Sequence, residues 1–327
     1  MILVTGGAGY IGSHFVRFYT RQRPAEKVVV VDNLVEGHVE SVEGLPGVHF
    51  ERCDISDFEA MKAIMLQHSV DAVVHFASYC YVGESQQNPS KYYQNNVAGS
   101  ISLFRAMEEA NVRKIVFSSS CATYGVPLQV PINEEHPQNP INVYGLTKLL
   151  IEKILGGYAD TRGWAYTALR YFNASGADGD ATIGESHDPE THIIPLALQT
   201  ALGKRDLLQI FGDDYDTPDG SCIRDYVHVE DLASAHLLAL EKLAEQKGGQ
   251  NINLGTATGA SVKEIVSLCE QVTGKKINHA FAPRRSGDPA RLVADPSKAR
   301  DYLNWHPQHD LRSIIQSAWN WEVKRRF

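Results

Sequence analysis

The stretch that decides the fold is Ile2-Leu3-Val4-Thr5-Gly6-Gly7-Ala8-Gly9-Tyr10-Ile11-Gly12. A short apolar, β-prone run meets Gly6, Gly9 and Gly12 in a G-x-x-G-x-x-G pattern, and helical spacing follows. Such a turn lets the backbone bend tightly and approach a pyrophosphate, whose charge then rests on a helix N-terminus. Asp32 ends the next valine-rich run, 20 residues beyond Gly12. A carboxylate there accepts hydrogen bonds from both hydroxyls of an adenosine ribose and repels a 2′-phosphate, which favours NAD over NADP.

Outward from this turn, apolar runs alternate with helical spacing. Ile2–Thr5, Lys27–Val31, Val48–Glu51, Ala72–His75 and Lys114–Ser118 read as strands buried on both faces. Ile11–Arg21, Asp57–Gln67, Ser90–Ala110 and Val143–Tyr158 read as helices, and Tyr166–Tyr171 as a further strand. This alternation predicts an α/β protein with a doubly wound parallel sheet. After Asn173 the texture turns to loops rich in Gly, Ala and Asp, followed by a helix at Ile193–Leu202. The division expected is a dinucleotide-binding domain over residues 1–173 and a smaller C-terminal α/β domain over 174–327. Segments near 225–255, a helix at Val229–Leu243 and a strand at Asn251–Leu254, are expected to return to the first domain.

Composition narrows the class. The 327 residues are 43% hydrophobic and 21% charged, which excludes disordered, collagenous and disulfide-scaffold chains. No apolar run reaches the 18 or so residues needed to cross a bilayer, and no basic leader precedes the first strand, so a cytoplasmic protein with no membrane partner is expected. Lys+Arg 31 against Asp+Glu 39 gives a net charge of −8, which argues against nucleic acid and demands a local cationic pocket for any anionic ligand. Five scattered cysteines without a Cys-x-x-Cys spacing predict free thiols and no zinc site. The pair His187 and His192 lacks an obvious third ligand, so no metal is expected.

Tyr144-Gly145-Leu146-Thr147-Lys148 puts a phenol and an ammonium on one helix face. A tyrosine ordinarily keeps its proton to about pH 10. The nearby lysine and a positive nicotinamide ring are expected to lower that value and make the phenol a base. Ser120 ends the run Ser118-Ser119-Ser120 at the sheet edge where α/β proteins bind ligands, so its hydroxyl can relay a proton to Tyr144.

These motifs resemble the extended short-chain dehydrogenases/reductases. His75-Phe76-Ala77, Val82-Gly83-Glu84-Ser85, Arg170-Tyr171-Phe172-Asn173, Arg224-Asp225-Tyr226 and Arg285-Ser286-Gly287-Asp288 narrow the resemblance to the UDP-glucose 4-epimerases, nearly end to end. The resemblance implies NAD as cofactor and a UDP-sugar as substrate. It places Gly6, Gly9, Tyr10, Ile11, Gly12, Asp32, Asn33, Asp54, Ile55, Phe76, Ala77, Ser78, Asn95, Tyr144, Lys148 and Tyr171 at cofactor positions. It places Ser120, Tyr144, Asn173, His192, Phe211, Arg224, Arg285, Asp288 and Leu292 at substrate positions. Arg224 and Arg285 would be the local cations that the acidic chain needs.

The implied reaction inverts the sugar C4 through a transient 4-keto sugar, with Tyr144, Lys148 and Ser120 as the catalytic set. The resemblance also implies a homodimer through the helices Ser90–Ala110 and Val143–Tyr158. Some positions depart from the family pattern. Cys80 stands where many of these epimerases carry a lysine, and Ser78-Tyr79-Cys80-Tyr81 and Cys121-Ala122-Thr123-Tyr124 look more like the UDP-arabinose/UDP-xylose 4-epimerase branch. A 4,6-dehydratase would need an Asp-Glu pair where Cys121 and Ala122 stand. Leu292 falls at the position that gates sugar size, which implies poor turnover of N-acetylated UDP-sugars.

Overall fold

The computed structural model describes residues 1–285 and 288–327. Its centre is a seven-stranded parallel sheet built from Ile2–Thr5 (β1), Val28–Asp32 (β2), Val48–Arg52 (β3), Ala72–His75 (β4), Lys114–Ser120 (β5), Ala165–Tyr171 (β6) and Gly248–Leu254 (β7). The order across the sheet is β7-β6-β5-β4-β1-β2-β3. The strands β1, β2 and β4 are buried along their whole length, as expected of strands covered on both faces. One apolar cluster lies under Tyr10–Gln22 and Val229–Lys242 and includes Phe15, Val30 and Leu232. A second lies on the opposite face, where Met61, Phe104 and Trp164 pack against Leu3, Val29 and Ile115.

The switch point lies between β1 and β4, where the strand order reverses, and a crevice opens at the carboxyl ends of the two strands. Two features differ from the sequence reading. β5 runs on to Ser120 because Ser118, Ser119 and Ser120 pair with Leu169, Arg170 and Tyr171 of β6. The helix expected at Ser90–Ala110 instead comprises Pro89–Tyr92, a wide π-helical turn at Tyr93–Gly99, and Ser100–Glu109. Asn96 in that wide turn is fully buried and bonds both the backbone of Tyr79 and the hydroxyl of Thr147. Hydrogen bonds that recruit two neighbouring elements hold the extra residue in the turn.

Residues 173–247 and 255–327 add three small sheets. Asn173–Ser175 pairs with Tyr226–His228, and Leu208–Phe211 with His279–Ala282. Ile223–Arg224 pairs with both Ala260–Ser261 and Arg291–Leu292. Their two- to four-residue strands carry too few alternating positions to show in sequence. A third apolar cluster around Leu198, Ile210, Ile265 and Ile315 joins them to the helices Ile193–Ala201, Val262–Thr273 and Leu311–Lys324.

Candidate active site

The glycine turn works through its backbone. Gly6 has φ +66, the left-handed region that glycine tolerates, and a Cβ there would lie 2.5 Å from the Ala77 nitrogen. At Gly12 a Cβ would lie 2.2 Å from the Gly6 carbonyl oxygen. The turn therefore closes only without side chains, and the helix Tyr10–Gln22 starts directly behind it. Asp32 is buried at the end of β2, where its carboxylate accepts hydrogen bonds from the Ala8 and Leu34 amides at 3.0 and 2.8 Å. Burial pushes its pKa up while those amides pull it down.

These groups open onto a cavity of about 1270 Å³ at the carboxyl edge of the sheet. Gly6, Gly9, Tyr10, Ile11, Gly12, Asp32, Asn33, Ile55, Phe76, Ala77, Ser78, Asn95 and Tyr171 line it. Asp54 does not; its carboxylate turns to the side-chain amide of Asn33 at 2.7 Å and to Ser56. The cradle that a Cβ would fill, the helix start and the buried acid fit a dinucleotide with a free ribose 2′-hydroxyl.

Ser120, Tyr144 and Lys148 line the same cavity. Asn142 caps the helix Val143–Arg162 by accepting a hydrogen bond from the Gly145 amide at 2.7 Å, which sets Tyr144 in its first turn. The Tyr144 amide also donates to the Ser85 hydroxyl at 3.2 Å. One turn on, the Lys148 ammonium donates to the Ser118 carbonyl at 2.8 Å and sits 5.7 Å from the Tyr144 ring centre. Burial lowers the lysine to about 8, so it stays mostly charged at neutral pH. Of the two positive charges that the sequence expectation joins, the structure places the lysine. Burial pushes Tyr144 well above its usual value, and the Ser120 hydroxyl opposes this only in part. Lysine proximity alone does not make this phenol a base.

Asn173, His192, Phe211, Arg224, Arg285, Asp288 and Leu292 line the remaining wall. Arg224 is buried and pairs with Asp288. The Arg285 guanidinium stacks 4.1 Å from the Phe211 ring centre, a cation–π contact that leaves a planar cation in the cavity. Leu292 lies beside Arg224 in register with it and packs on a small apolar cluster of Tyr124, Ile132, Phe172 and Ala294. Ser286 and Gly287 of the Arg285–Asp288 motif lie outside the described residues.

Several lining residues escaped the sequence reading. Glu36 accepts a hydrogen bond from the Tyr81 hydroxyl at 3.0 Å, and Glu185 joins in the wall the pair His187 and His192 already noted in the sequence. Carboxylates at 185 and 190 hold His187 up at about 10 despite its burial and raise His192 strongly. A repeated His/Glu spacing in one loop was the available signal. Cys80 and Ala122 also line the cavity, and Cys80 is exposed.

A doubly wound sheet with a glycine turn at its switch point and a Ser-Tyr-Lys set at its edge is the arrangement of a short-chain dehydrogenase/reductase of the extended type. The chain belongs to the NAD dependent epimerase/dehydratase family, whose description matches residues 2–255. It is 52% identical over 321 residues to the UDP-glucose 4-epimerase of Halalkalibacterium halodurans, covering 98% of this chain and 95% of that relative. Among solved structures it is similar to the UDP-glucose 4-epimerase of Brucella ovis in complex with NAD, with a TM-score of 0.93, 49% identity and 97% of each chain covered. It is also similar to the UDP-glucose-4-epimerase of Stenotrophomonas maltophila with bound NAD and formylated UDP-arabinopyranose. There the TM-score is 0.95 and the identity 41%, covering 99% of this chain and 98% of the other.

Proposed function

We propose that this chain is an NAD-dependent isomerase that inverts the sugar C4 and interconverts UDP-glucose and UDP-galactose. The observation that carries the reading is Ser120, Tyr144 and Lys148 in one cavity with the dinucleotide turn and two arginines, on a chain half identical to a UDP-glucose 4-epimerase.

When bound, NAD would take up the C4 hydride and return it to the other face of the sugar. Gly6, Gly9 and Gly12 bring backbone against the pyrophosphate, and Asp32 accepts the ribose hydroxyls. Tyr144 takes the proton of the sugar O4, directly or through Ser120. Its phenol, half-buried in the cavity wall, needs positive charge on both sides, from Lys148 and from the oxidised cofactor, before it gives up its own proton. Coupling the base to the bound cofactor in this way restricts proton removal to the loaded site. Arg224 and Arg285 hold the diphosphate, Asp288 the uridine ribose, and Phe211 and His192 the uridine side. Asn173 sits at the diphosphate, so only the sugar turns.

Residues 1–173, with the returning segments near 225–255, form the NAD-binding domain, and 174–327 the UDP-sugar-binding domain. Among the described residues no helix is long and apolar enough to cross a membrane. The reading adds a cytoplasmic homodimer in galactose metabolism, joined through the helices at 90–110 and 143–158, where Tyr93 and Ile101 are exposed. The second reading is a UDP-xylose/UDP-arabinose 4-epimerase, favoured by Cys80 and Cys121 in the cavity wall and by the UDP-arabinopyranose derivative in the Stenotrophomonas structure.

The test is an initial-rate comparison on UDP-glucose, UDP-galactose, UDP-xylose and UDP-N-acetylglucosamine without added reductant. Hexose interconversion is expected to lead. Faster turnover of the pentose would move the assignment to the second reading, and no turnover of any of the four would end both.

A further inference from the structure

The loop Glu185-Ser186-His187-Asp188-Pro189-Glu190-Thr191-His192 folds back so that two carboxylates and two imidazoles meet. The candidate ligand atoms of Glu185, His187, Glu190 and His192 all lie within 4.8 Å of one another. His192 Nδ1 is 2.7 Å from Glu185 Oε1 and 3.0 Å from Glu190 Oε1. His187 Nδ1 is 3.2 Å from Glu185 Oε1 and 3.7 Å from Glu190 Oε2. A tetrahedral ion with nitrogen and oxygen ligands near 2.0–2.1 Å separates neighbouring donors by about 3.3 Å. Glu190 Oε1 already accepts the Thr191 and His192 amides, so Oε2 is its donor. The separations of His192 and His187 from Glu185 and of His187 from Glu190 Oε2 bracket that edge.

Hydrogen bonding alone leaves this cluster incomplete. The Glu190 side chain is 5% exposed, yet its Oε2 has no hydrogen-bond partner, and neither does the buried His187 Nδ1. Buried polar atoms are rarely left unpaired in this way, and two such atoms face each other here. A divalent cation between them would satisfy both. The charge also balances, since the ion displaces the protons that the carboxylates otherwise hold on the imidazoles, leaving two carboxylates and two neutral imidazoles at −2 for the ion to cancel. Tyr10 and Tyr81 flank His187 edge-on at 6.2 and 5.6 Å between ring centres and fix the plane of its ring.

We propose that Glu185, His187, Glu190 and His192 bind one divalent cation of the zinc class, with both histidines ligating through Nδ1. Four protein donors close a tetrahedron, so the ion is structural. It ties the 185–192 loop to the start of the helix Ile193–Ala201, whose first residues line the cavity. The site stands on the loop geometry and is independent of which sugar the enzyme turns over.

The test strips the purified chain with dipicolinate, equilibrates it with Zn2+ or Co2+, and counts ions after gel filtration. One ion per chain is expected, with the strong visible absorption of tetrahedral Co2+ and a raised unfolding midpoint on loading. His187→Ala and Glu190→Gln should each weaken binding by at least about tenfold. His309→Ala, in the separate corner formed by His228, Glu230 and His309, should leave binding unchanged. Retained NAD and an unchanged far-ultraviolet circular dichroism spectrum identify folded variants. Substoichiometric binding by the unsubstituted chain would overturn the proposal and leave the cluster as protonated ion pairs. Full binding by folded His187→Ala, or its loss in His309→Ala alone, would equally overturn it.

Discussion

Two buried groups of histidines in this molecule meet opposite fates. Around the sheet, His14 and His236 face backbone carbonyls and His75 the hydroxyls of Thr5 and Ser100, and burial lowers them to about 4, 4 and 3. In the loop before Ile193–Ala201, His187 is nearly as enclosed, yet facing carboxylates lift it to about 10. Burial alone therefore does not set the charge of an imidazole; the groups that face it do. The same contrast runs through the cavity. Its sheet wall works through backbone shape with single, separated charges at Asp32 and Lys148, its loop wall through clustered charged side chains. Damage to the two walls should therefore read out differently.

The largest effect is expected where the walls meet. Tyr144→Phe should cut kcat by about 10³-fold, within the range of lost proton transfer, while NAD stays bound. Retention of more than a tenth of the rate would remove Tyr144 from the base role.

A second pair of variants separates the walls. Gly12→Val forces a side chain against the Gly6 carbonyl and should lower copurified NAD by about tenfold or more. Arg224→Lys gives up the planar fork and should raise KM for UDP-galactose by about tenfold with NAD content unchanged. Loss of NAD in Arg224→Lys would break the division.

A smaller change tests the far wall alone. Leu292→Cys should raise the UDP-N-acetylglucosamine to UDP-glucose rate ratio by about tenfold if side-chain bulk excludes the acetamido group. An unmoved ratio would assign exclusion to other residues.

A last effect, spread over three buried groups outside the cavity walls, is a shift in stability with pH. For His14, His75 and His236 the folded values lie below the unfolded value near 6.5. The unfolded chain therefore binds more protons between about 6.5 and 4, and stability falls as pH drops through that window. Each contributes on the order of 1 kcal/mol per pH unit there. A fall of several degrees in unfolding midpoint from pH 7 to 5 checks the sum; a flat midpoint would contradict it.

The sheet wall was readable from sequence because its chemistry is local. Gly6, Gly12 and Asp32 act through one turn and one strand end, so spacing alone carries the message. The Tyr144/Lys148 pair was readable for the same reason, since one helical turn brings them together. The opposing effect of burial on Tyr144 was not, because only the assembled cavity supplies it. Glu185 and Glu190 were missed as partners of the two histidines because the turn of a proline-containing loop, rather than a regular period, makes them converge. The wide turn at Tyr93–Gly99 was likewise hidden, since Asn96 finds its partners at Tyr79 and Thr147, distant in sequence.

Strand β7 arrives only after the chain has left the sheet at β6 and travelled through more than seventy intervening residues. Its seven residues pair one for one with Ala165–Tyr171. The consequence is architectural: both stems of the excursion are stitched into the same sheet edge. A protein engineer who cut the chain at residue 173 would strip β6 of its outer neighbour and bare a row of backbone groups, a ready template for aggregation. Trimming only loops of the excursion, and keeping the helix Val229–Lys242 that covers the sheet, is a different operation. It keeps both seams and leaves the sheet whole.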